Sequence, residues 1–233
     1  MEKIDLQAFH HIVFFTGAGM SAESGVATFR GAGGRWKEYN WQEVACQRAF
    51  DRDPERVLDF HRLRRQEAIG CEPHAGHKVI AGLEAAHPGV TVVTQNIDGM
   101  HQRAGTKKIF ELHGSLWRVR CPQHGVWEDR DPEFATRRCP HCGSWLRPEI
   151  IWFEDMLDDK VVAGATRAIL ACDLLISIGT SAVVWPAAGY PELARQNGAF
   201  CVEINPEPTE ISGLYQRVIR GKAGEVLPEL FEK

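Results

Sequence analysis

The sequence predicts an α/β fold, a Rossmann-like parallel sheet carrying a small inserted zinc-binding module and a helical segment. Three observations carry that expectation. Four short apolar runs, Ile12–Thr16, Val90–Thr94, Leu174–Ile178 and Phe200–Ile204, are rich in Val, Ile or Phe and stop at turn or small residues, as strands buried on both faces do. Helical patterns alternate with them, which argues for parallel strands joined by crossovers. One stretch, 121–148, breaks the alternation, being polar, rich in Arg, Pro and Cys, and without a clear period. We expect this stretch to be a small module that cannot build a core from apolar residues.

The helices have readable ends. Asp53-Pro54-Glu55 combines an acidic cap with Pro at the first helical position, and that helix should run to Ile69 and stop at Gly70. A second spans 74–86, closed by Pro88-Gly89, and two more span 161–171 and 191–197, the last ending at Gly198. The sequence contains neither an internal repeat nor a low-complexity tract.

Composition removes several function classes. A chain of 233 residues suits one large domain with a small insert, and 44% hydrophobic residues exclude a disordered chain. With 27 Lys+Arg against 31 Asp+Glu, the net charge of −4 argues against a general basic surface for nucleic acid. No apolar run approaches the ~20 residues needed to span a membrane. The start, Met1-Glu2-Lys3-Ile4-Asp5, lacks the pattern of a signal peptide, so a cytoplasmic protein is expected. Seven cysteines in a reducing compartment point to metal rather than disulfides where they pair closely. Cys46, Cys71, Cys172 and Cys201 lie outside any such pair and read as small buried or half-buried side chains.

The close pairs are Cys121-Pro-Gln-His124-Gly and Cys139-Pro-His-Cys142-Gly. The two-residue spacing brings two ligands to one ion, and three thiolates with one imidazole suit tetrahedral Zn²⁺. Four protein ligands leave no open position, so the zinc should be structural. His141 lies between Cys139 and Cys142, where its side chain should point away.

After the first strand comes Gly17-Ala18-Gly19-Met20-Ser21-Ala22, a G-x-G-x-x-A turn. Gly17 permits the turn, Gly19 lets backbone approach a diphosphate, Ala22 allows close packing of the helix, and helix-start amides can hold the anion. Alone, the turn reads equally well as a strand-to-helix connection with no ligand. An ordinary dehydrogenase would place an acidic residue about 20 positions further on, after a second strand. Here the chain enters a glycine-rich loop instead, through Thr28-Phe29-Arg30 to Trp36, expected to close over a ligand with Phe29 and Arg30 covering a ring and a phosphate. At the second strand end, Gln95-Asn96-Ile97-Asp98 sets two amides and a carboxylate where an open sheet binds ligands, although Asn and Asp also serve as turn caps.

These segments together resemble the sirtuins, the NAD-dependent protein-lysine deacylases. The resemblance rests on residues 17–25 with Thr28-Phe29-Arg30, on Thr94-Gln95-Asn96-Ile97-Asp98, on Leu112-His113-Gly114 and on Gly179-Thr180-Ser181, in the family's order along nearly the whole chain. It implies a nucleotide-binding domain from residues 1–34, 72–116 and 149–233, with 35–71 and 117–148 forming the helical and zinc-binding parts of a small domain. It implies that Gly17, Ala18, Gly19, Ser21, Ala22, Phe29, Arg30 and Trp36 bind NAD. Gln95 would meet the ribose, and Asn96, Ile97 and Asp98 would line the nicotinamide pocket. Gly179, Thr180, Ser181, Asn205, Pro206, Glu207 and Ala223 would hold the adenosine half. Nothing in its bare spacing singles out His113 among ten histidines. The resemblance alone implies that it is the general base.

The implied chemistry consumes NAD as a co-substrate. The acyl-lysine oxygen displaces nicotinamide at C1′ of the ribose, His113 takes a ribose-hydroxyl proton, and water completes the release of lysine and O-acyl-ADP-ribose. Partners would be acylated-lysine proteins or peptides, with Ile151, Trp152 and Phe153 pairing with substrate backbone. In the branch that removes acidic acyl groups, a Tyr and an Arg hold the distal carboxylate. Arg64 falls on the Arg position, His61 on the Tyr position, and Ala45 on the small residue that widens the pocket. Read without the resemblance, the basic residues of the 53–69 helix, His61 and Arg64 on one face and Arg62 and Arg65 on others, are solvated surface. His61 should add charge below pH ~6.5 and so favour acidic acyl groups there. Two further departures are His124, where sirtuins usually show Cys, and Glu154, where they usually have Gly and where a rim carboxylate would favour basic flanking residues. Alternative functions are a mono-ADP-ribosyltransferase and a non-catalytic NAD or ADP-ribose binding module.

Overall fold

The computed structural model describes residues 2–28 and 39–231. The four predicted strands form at the expected bounds. They are β1 (Ile12–Thr16), β2 (Val90–Thr94), β7 (Leu174–Ile178) and β8 (Phe200–Ile204), joined by β3 (Ile109–Glu111) and β9 (Arg217–Ile219). All pair in parallel in the order β3-β2-β1-β7-β8-β9. The central strands are apolar throughout because both faces are covered, and every residue of β1 and β7 is buried. The order reverses between β1 and β7. That is the switch point where open sheets of this kind bind ligands beyond the strand ends.

Helices α5 (Ala75–Ala86) and α9 (Ala223–Phe231) cover one face, meeting Phe14, Ile176 and Val202 through Ile80, Leu227 and Leu230. Helices α7 (Asp159–Ala171) and α8 (Tyr190–Gln196) cover the other through Ala165, Ile169 and Ala194 against Phe15 and Leu175. Short helices α1 (Gly19–Ala22) and α6 (Met100–Ala104) follow β1 and β2. Among the described residues, no helix is long and apolar enough to cross a membrane.

A second sheet, β5-β4-β6, is built from β4 (Gly114–Cys121), β5 (Gly125–Glu128) and β6 (Arg147–Ile150), and helices α2 (Trp41–Val44), α3 (Gln47–Arg52) and α4 (Pro54–Ile69) cover it. Helix α4 starts as predicted, with Asp53 accepting from the Arg56 amide at 3.1 Å and Pro54 in the first turn. Strand β4 crosses residue 117 and β6 crosses residue 149, so the two parts of the chain meet along strands rather than at linkers.

The expectation that 121–148 lacks an apolar core is overturned. Phe134 and Leu146 are fully buried there, sharing one core with Leu58, Leu116 and Trp152. The apolar residues are too scattered in sequence to show a period, yet the metal knuckles bring them together. At the centre lies Arg65, fully buried. Its guanidinium donates to Leu116 O at 2.7 Å, Asp129 at 2.9 Å and Asp131 O at 2.9 Å, and lies 4.1 Å from the Phe134 ring centre. A residue that reads as part of a solvated face in sequence therefore ties helix α4 to the metal-bearing insert. Cys46, Cys172 and Cys201 are buried and Cys71 half-buried, as expected.

Candidate active site

A cavity of about 1080 Å³ opens at the switch point, between the ends of the parallel strands and the small lobe. Around it stand Gly17, Ala18, Gly19, Ala22, Gln95, Asn96, Ile97, His113, Gly179, Thr180, Ser181, Asn205, Pro206, Glu207 and Ala223, joined by Ala45, His61 and Arg64 from the small lobe and by Ile151, Trp152 and Phe153 from the segment after β6. Ser21 and Asp98 stand behind this wall, both buried. Phe29, Arg30 and Trp36 lie outside the described residues. Met156 and Trp185, which nothing in the sequence pattern singled out, also line the cavity and are 86% and 73% exposed, an apolar rim.

The glycines of the first turn answer to a close backbone crossing that their spacing does not show. Neither adopts a positive φ. A Cβ on Gly17 would stand 2.8 Å from Gly179 O, and one on Gly19 would stand 2.7 Å from Gly179 Cα. Gly179 itself has φ +58 and would press a Cβ to 2.4 Å from the Met20 amide nitrogen. The turns after β1 and β7 thus interlock through bare backbone. Most amides of the first turn are also spent within the protein: Gly17 donates to Ile178 O, Gly19 to Gly179 O, Met20 to Gly17 O and Ser21 to Ala18 O. The helix start is a narrower anion cradle than its sequence suggests.

Behind the wall runs a buried polar network. Asn96 Nδ2 donates to Gly17 O at 3.0 Å and to Ser21 Oγ at 3.2 Å, so the second strand end holds the first turn in place. Asp98 accepts from the Met100 amide at 2.9 Å and from Ser21, while burial, the dominant influence, pushes its carboxyl up. His77 meets Ser21 Oγ at 3.4 Å, and His101 meets Thr16 Oγ1 at 3.0 Å. The rings of His74, His77 and His101 follow one another in a row, tilted and then edge to face, with centroids 4.2 and 5.0 Å apart. Burial, reinforced by neighbouring imidazoles, lowers His77 to about 2 and His101 to about 3.

His61 behaves the same way for a further reason. Trp152 Nε1–H can only donate, and it donates to His61 Nε2 at 2.9 Å with the two rings stacked. Nε2 is therefore an acceptor and Nδ1 carries the single proton. A second proton would face the indole N–H. Burial first, then the charges of Arg64, Arg65 and Arg147, lower this histidine to about 3. The expected gain of charge below pH 6.5 is overturned, and His61 is a neutral group held in one tautomer.

Three imidazoles kept neutral make the fold acid-labile. A histidine near 6.5 in the unfolded chain and near 3 in the folded one contributes its full stability above pH 6.5. That contribution is lost at about 1.4 kcal/mol per pH unit as pH falls toward 3. For His61, His77 and His101 together the loss is about 4 kcal/mol per unit; Asp98, raised, acts in the opposite sense. The urea midpoint should drop steeply between pH 6.5 and 5, and an equal midpoint at both values would refute this account.

His113 follows β3 and lines the cavity. Its Nδ1 lies 3.0 Å from Gln95 O. A carbonyl only accepts, so Nδ1 carries the proton and Nε2 is the basic nitrogen. The glycine after it is required by a close crossing, since a Cβ on Gly114, at φ +76, would meet Glu149 O at 2.1 Å. Ile151 N donates back to His113 O at 3.0 Å, tying the histidine to the segment that carries Trp152 and Phe153. Phe153 N donates to Ala45 O at 3.0 Å, which fixes Ala45 at the cavity.

Arg64 is buried and pairs with Glu67 at 3.3 Å. Glu154 adopts φ +74, the left-handed region that suits the Gly usual in sirtuins. Both its carboxylate oxygens accept from Arg48, so its charge is already countered and the expected preference for basic flanking residues loses its basis.

In the small lobe, the ligand atoms of Cys121, His124, Cys139 and Cys142 all lie within 4.8 Å of one another. Cys121 Sγ is 3.6 Å from Cys142 Sγ and 3.5 Å from His124 Nδ1, and Cys139 Sγ is 3.5 Å from the same nitrogen. Tetrahedral zinc with Zn–S near 2.3 Å and Zn–N near 2.0 Å requires separations of roughly 3.5–3.8 Å. The donor set fits a structural zinc ion, and His124 rather than His141 is its fourth member.

The Sir2 family model matches residues 17–186. The chain belongs to the Sir2 family. The chain is 45% identical over 230 residues to NAD-dependent protein deacylase 2 of Pyrobaculum aerophilum, covering 98% of this chain and 92% of that one. It is 40% identical over 239 residues to NAD-dependent protein deacylase 1 of Pseudomonas aeruginosa, covering 98% and 96%. A solved Sir2 homolog–NAD complex superposes with TM-score 0.89 at 38% identity, covering 98% of this chain and 93% of that one. A Sir2–p53 peptide–NAD+ complex does so with TM-score 0.86 at 29% identity, covering 97% and 94%. Geometry replaces expectation at His61, locked by Trp152, and at Glu154, paired with Arg48, and bears it out at His124, which joins the metal set.

Proposed function

We propose that the chain is an NAD-dependent protein-lysine deacylase that releases nicotinamide and O-acyl-ADP-ribose. One observation carries this reading: the interlocked glycine turns, the Gln95–Asn96 strand end, the oriented His113 and the small-lobe residues border a single cavity. Relatives at 40–45% identity carry the name NAD-dependent protein deacylase. In this reading residues 1–34, 72–116 and 149–233 bind the nucleotide, and 35–71 with 117–148 form the small lobe. NAD spans the strand ends, with Asn205, Pro206, Glu207 and Ala223 at its adenosine half and Asn96, Ile97 and Asp98 at its nicotinamide. The acylated lysine enters past Phe153. The acyl oxygen displaces nicotinamide from the ribose, and His113 Nε2 accepts a ribose-hydroxyl proton so that the acyl group can move to the sugar. Seven cysteines outside any disulfide suit a reducing compartment, the cytoplasm.

The test is incubation with NAD and matched acetyl- and succinyl-lysine peptides, measuring nicotinamide, bare peptide and O-acyl-ADP-ribose by mass. NAD left intact with every acyl peptide, or ADP-ribose attached to protein instead, would overturn the proposal.

Removal of acidic acyl groups rests on Arg64, with one neutral N–H from His61 beside it. The acyl carboxylate would share the guanidinium with Glu67. Arg64→Met should lower kcat/KM for a succinyl peptide by about 30-fold and for an acetyl peptide by about threefold or less. The succinyl-to-acetyl ratio of the wild type should stay flat from pH 6 to 8, because His61 remains neutral there. A ratio that climbs at pH 6, or one untouched by the substitution, would exclude this account of the pocket.

A further inference from the structure

The loop that leaves β8 borders the cavity through Asn205, Pro206, Glu207, Pro208 and Thr209. Two prolines remove two amide donors from this short stretch, so the loop has little backbone with which to hold itself. What holds it is a charge inside the sheet. Glu203, the fourth residue of β8, is 2% exposed. Such a carboxylate is costly to bury unless its lone pairs are filled. Here they are filled from the loop and from the strand beyond it. Thr209 Oγ1 donates to Oε1 at 2.8 Å, and Ser212 Oγ at 2.7 Å and Arg220 at 2.9 Å donate to Oε2. Arg220 extends the grip, donating to Glu207 O at 3.0 Å, Asn205 O at 3.4 Å and Ser212 Oγ at 3.0 Å. From the other side, Asn205 Nδ2 donates to Thr180 O at 3.1 Å, which joins the loop to the turn after β7.

We propose that Glu203, acting through Arg220, is the positioning residue that fixes the 205–209 loop in the shape that receives the adenosine half of the dinucleotide. Neither residue borders the cavity, so each acts through the loop and not by touching the ligand, Glu203 through the Thr209 hydroxyl and Arg220 through the carbonyls of Asn205 and Glu207. The inference rests on the reading of the cavity as an NAD site. It assigns a role to two residues that no motif of the sequence singled out. Its expected signature is confined to nucleotide affinity, because the loop that Glu203 and Arg220 hold borders the cavity at its adenosine end.

The test uses the full chain and ADP-ribose as the probe, measured by calorimetry, together with KM for NAD, KM for the acyl peptide and kcat. Glu203→Gln keeps the shape and removes the charge. It should weaken ADP-ribose binding and raise KM for NAD by about tenfold, the loss expected when one charged hydrogen bond fails. kcat at saturating NAD and KM for the peptide should stay within about twofold, a split that general destabilisation would not produce. Arg220→Met should match it, Arg220→Lys should recover part of the loss, and the double variant should be no worse than either single one, since the residues act as one unit. If Glu203→Gln fails to fold, the half-exposed Arg220 carries the test alone. Variants that bind ADP-ribose like the wild type, or that lose kcat with KM unchanged, would overturn the role of Glu203. A wild type that neither binds ADP-ribose nor releases nicotinamide would instead overturn the reading of the site itself, and this inference with it.

Discussion

A His113→Ala protein is expected to lose at least about a hundredfold of deacylation while still binding NAD and still exchanging labelled nicotinamide into it. The geometry separates the two activities. His113 stands with Nδ1–H on Gln95 O, which leaves Nε2 as the base. In the proposed chemistry that base is needed only after nicotinamide has departed, when a ribose hydroxyl must become a nucleophile. Removing it should block the second half of the reaction and spare the first. His113 is not among the residues that hold the glycine turn, so the nucleotide side should remain assembled. Exchange that vanishes together with deacylation would place the histidine in the first step and refute this division of labour. The Gln95 carbonyl cannot be removed by substitution, but Gln95→Ala would test a different contact, the 3.0 Å bond from its side chain to Thr180.

The second large effect concerns the metal. Chelation should lower the melting temperature by at least ~10 °C, because a structural zinc ion contributes on the order of 10 kcal/mol to the fold that contains it. Strands β5 and β6 are only four residues each, and their shared core with β4 and helix α4 depends on the insert being closed by Cys121, His124, Cys139 and Cys142. Loss of the ion should free Asp129 and Asp131 from Arg65, leaving a buried guanidinium without its carboxylate partner beside the acyl pocket. Deacylation should fail with it, and one zinc per chain should be found by elemental analysis. His124→Ala should abolish metal binding, while His141→Ala should retain it. A protein whose melting is unmoved after the metal has been removed would contradict the assignment.

Much of the molecule was legible in the sequence because its causes are local. A run such as Leu174–Ile178 can only be a strand covered on both faces, and Asp53-Pro54 can only begin a helix at one place. The knuckle spacing named the metal ligands, including His124 over His141, for the same reason. The rest was not legible because its causes are distant in the chain. The interlock of Gly17 and Gly19 with Gly179 joins positions some 160 residues apart, so the glycine spacing of the first turn gives no sign of it. The tautomer of His61 is set by Trp152, 91 residues away, and no periodicity announces such a partner. Arg65 looked like one more surface cation beside Arg62 and Arg64, and only the folded insert supplies Asp129 and Phe134 around it. Single charges at the rim misled for a similar reason, since Glu154 finds Arg48 across the lobe.

The meeting of bare backbones at positions 17, 19 and 179 also constrains how this chain can change over generations. A methyl group gained at any of the three would wedge the turns after β1 and β7 apart, and trimming a side chain could not relieve it, because each position meets main-chain atoms of the facing turn within 2.8 Å. Mutational drift is therefore blocked at all three positions together, and libraries randomised there should return glycine almost alone.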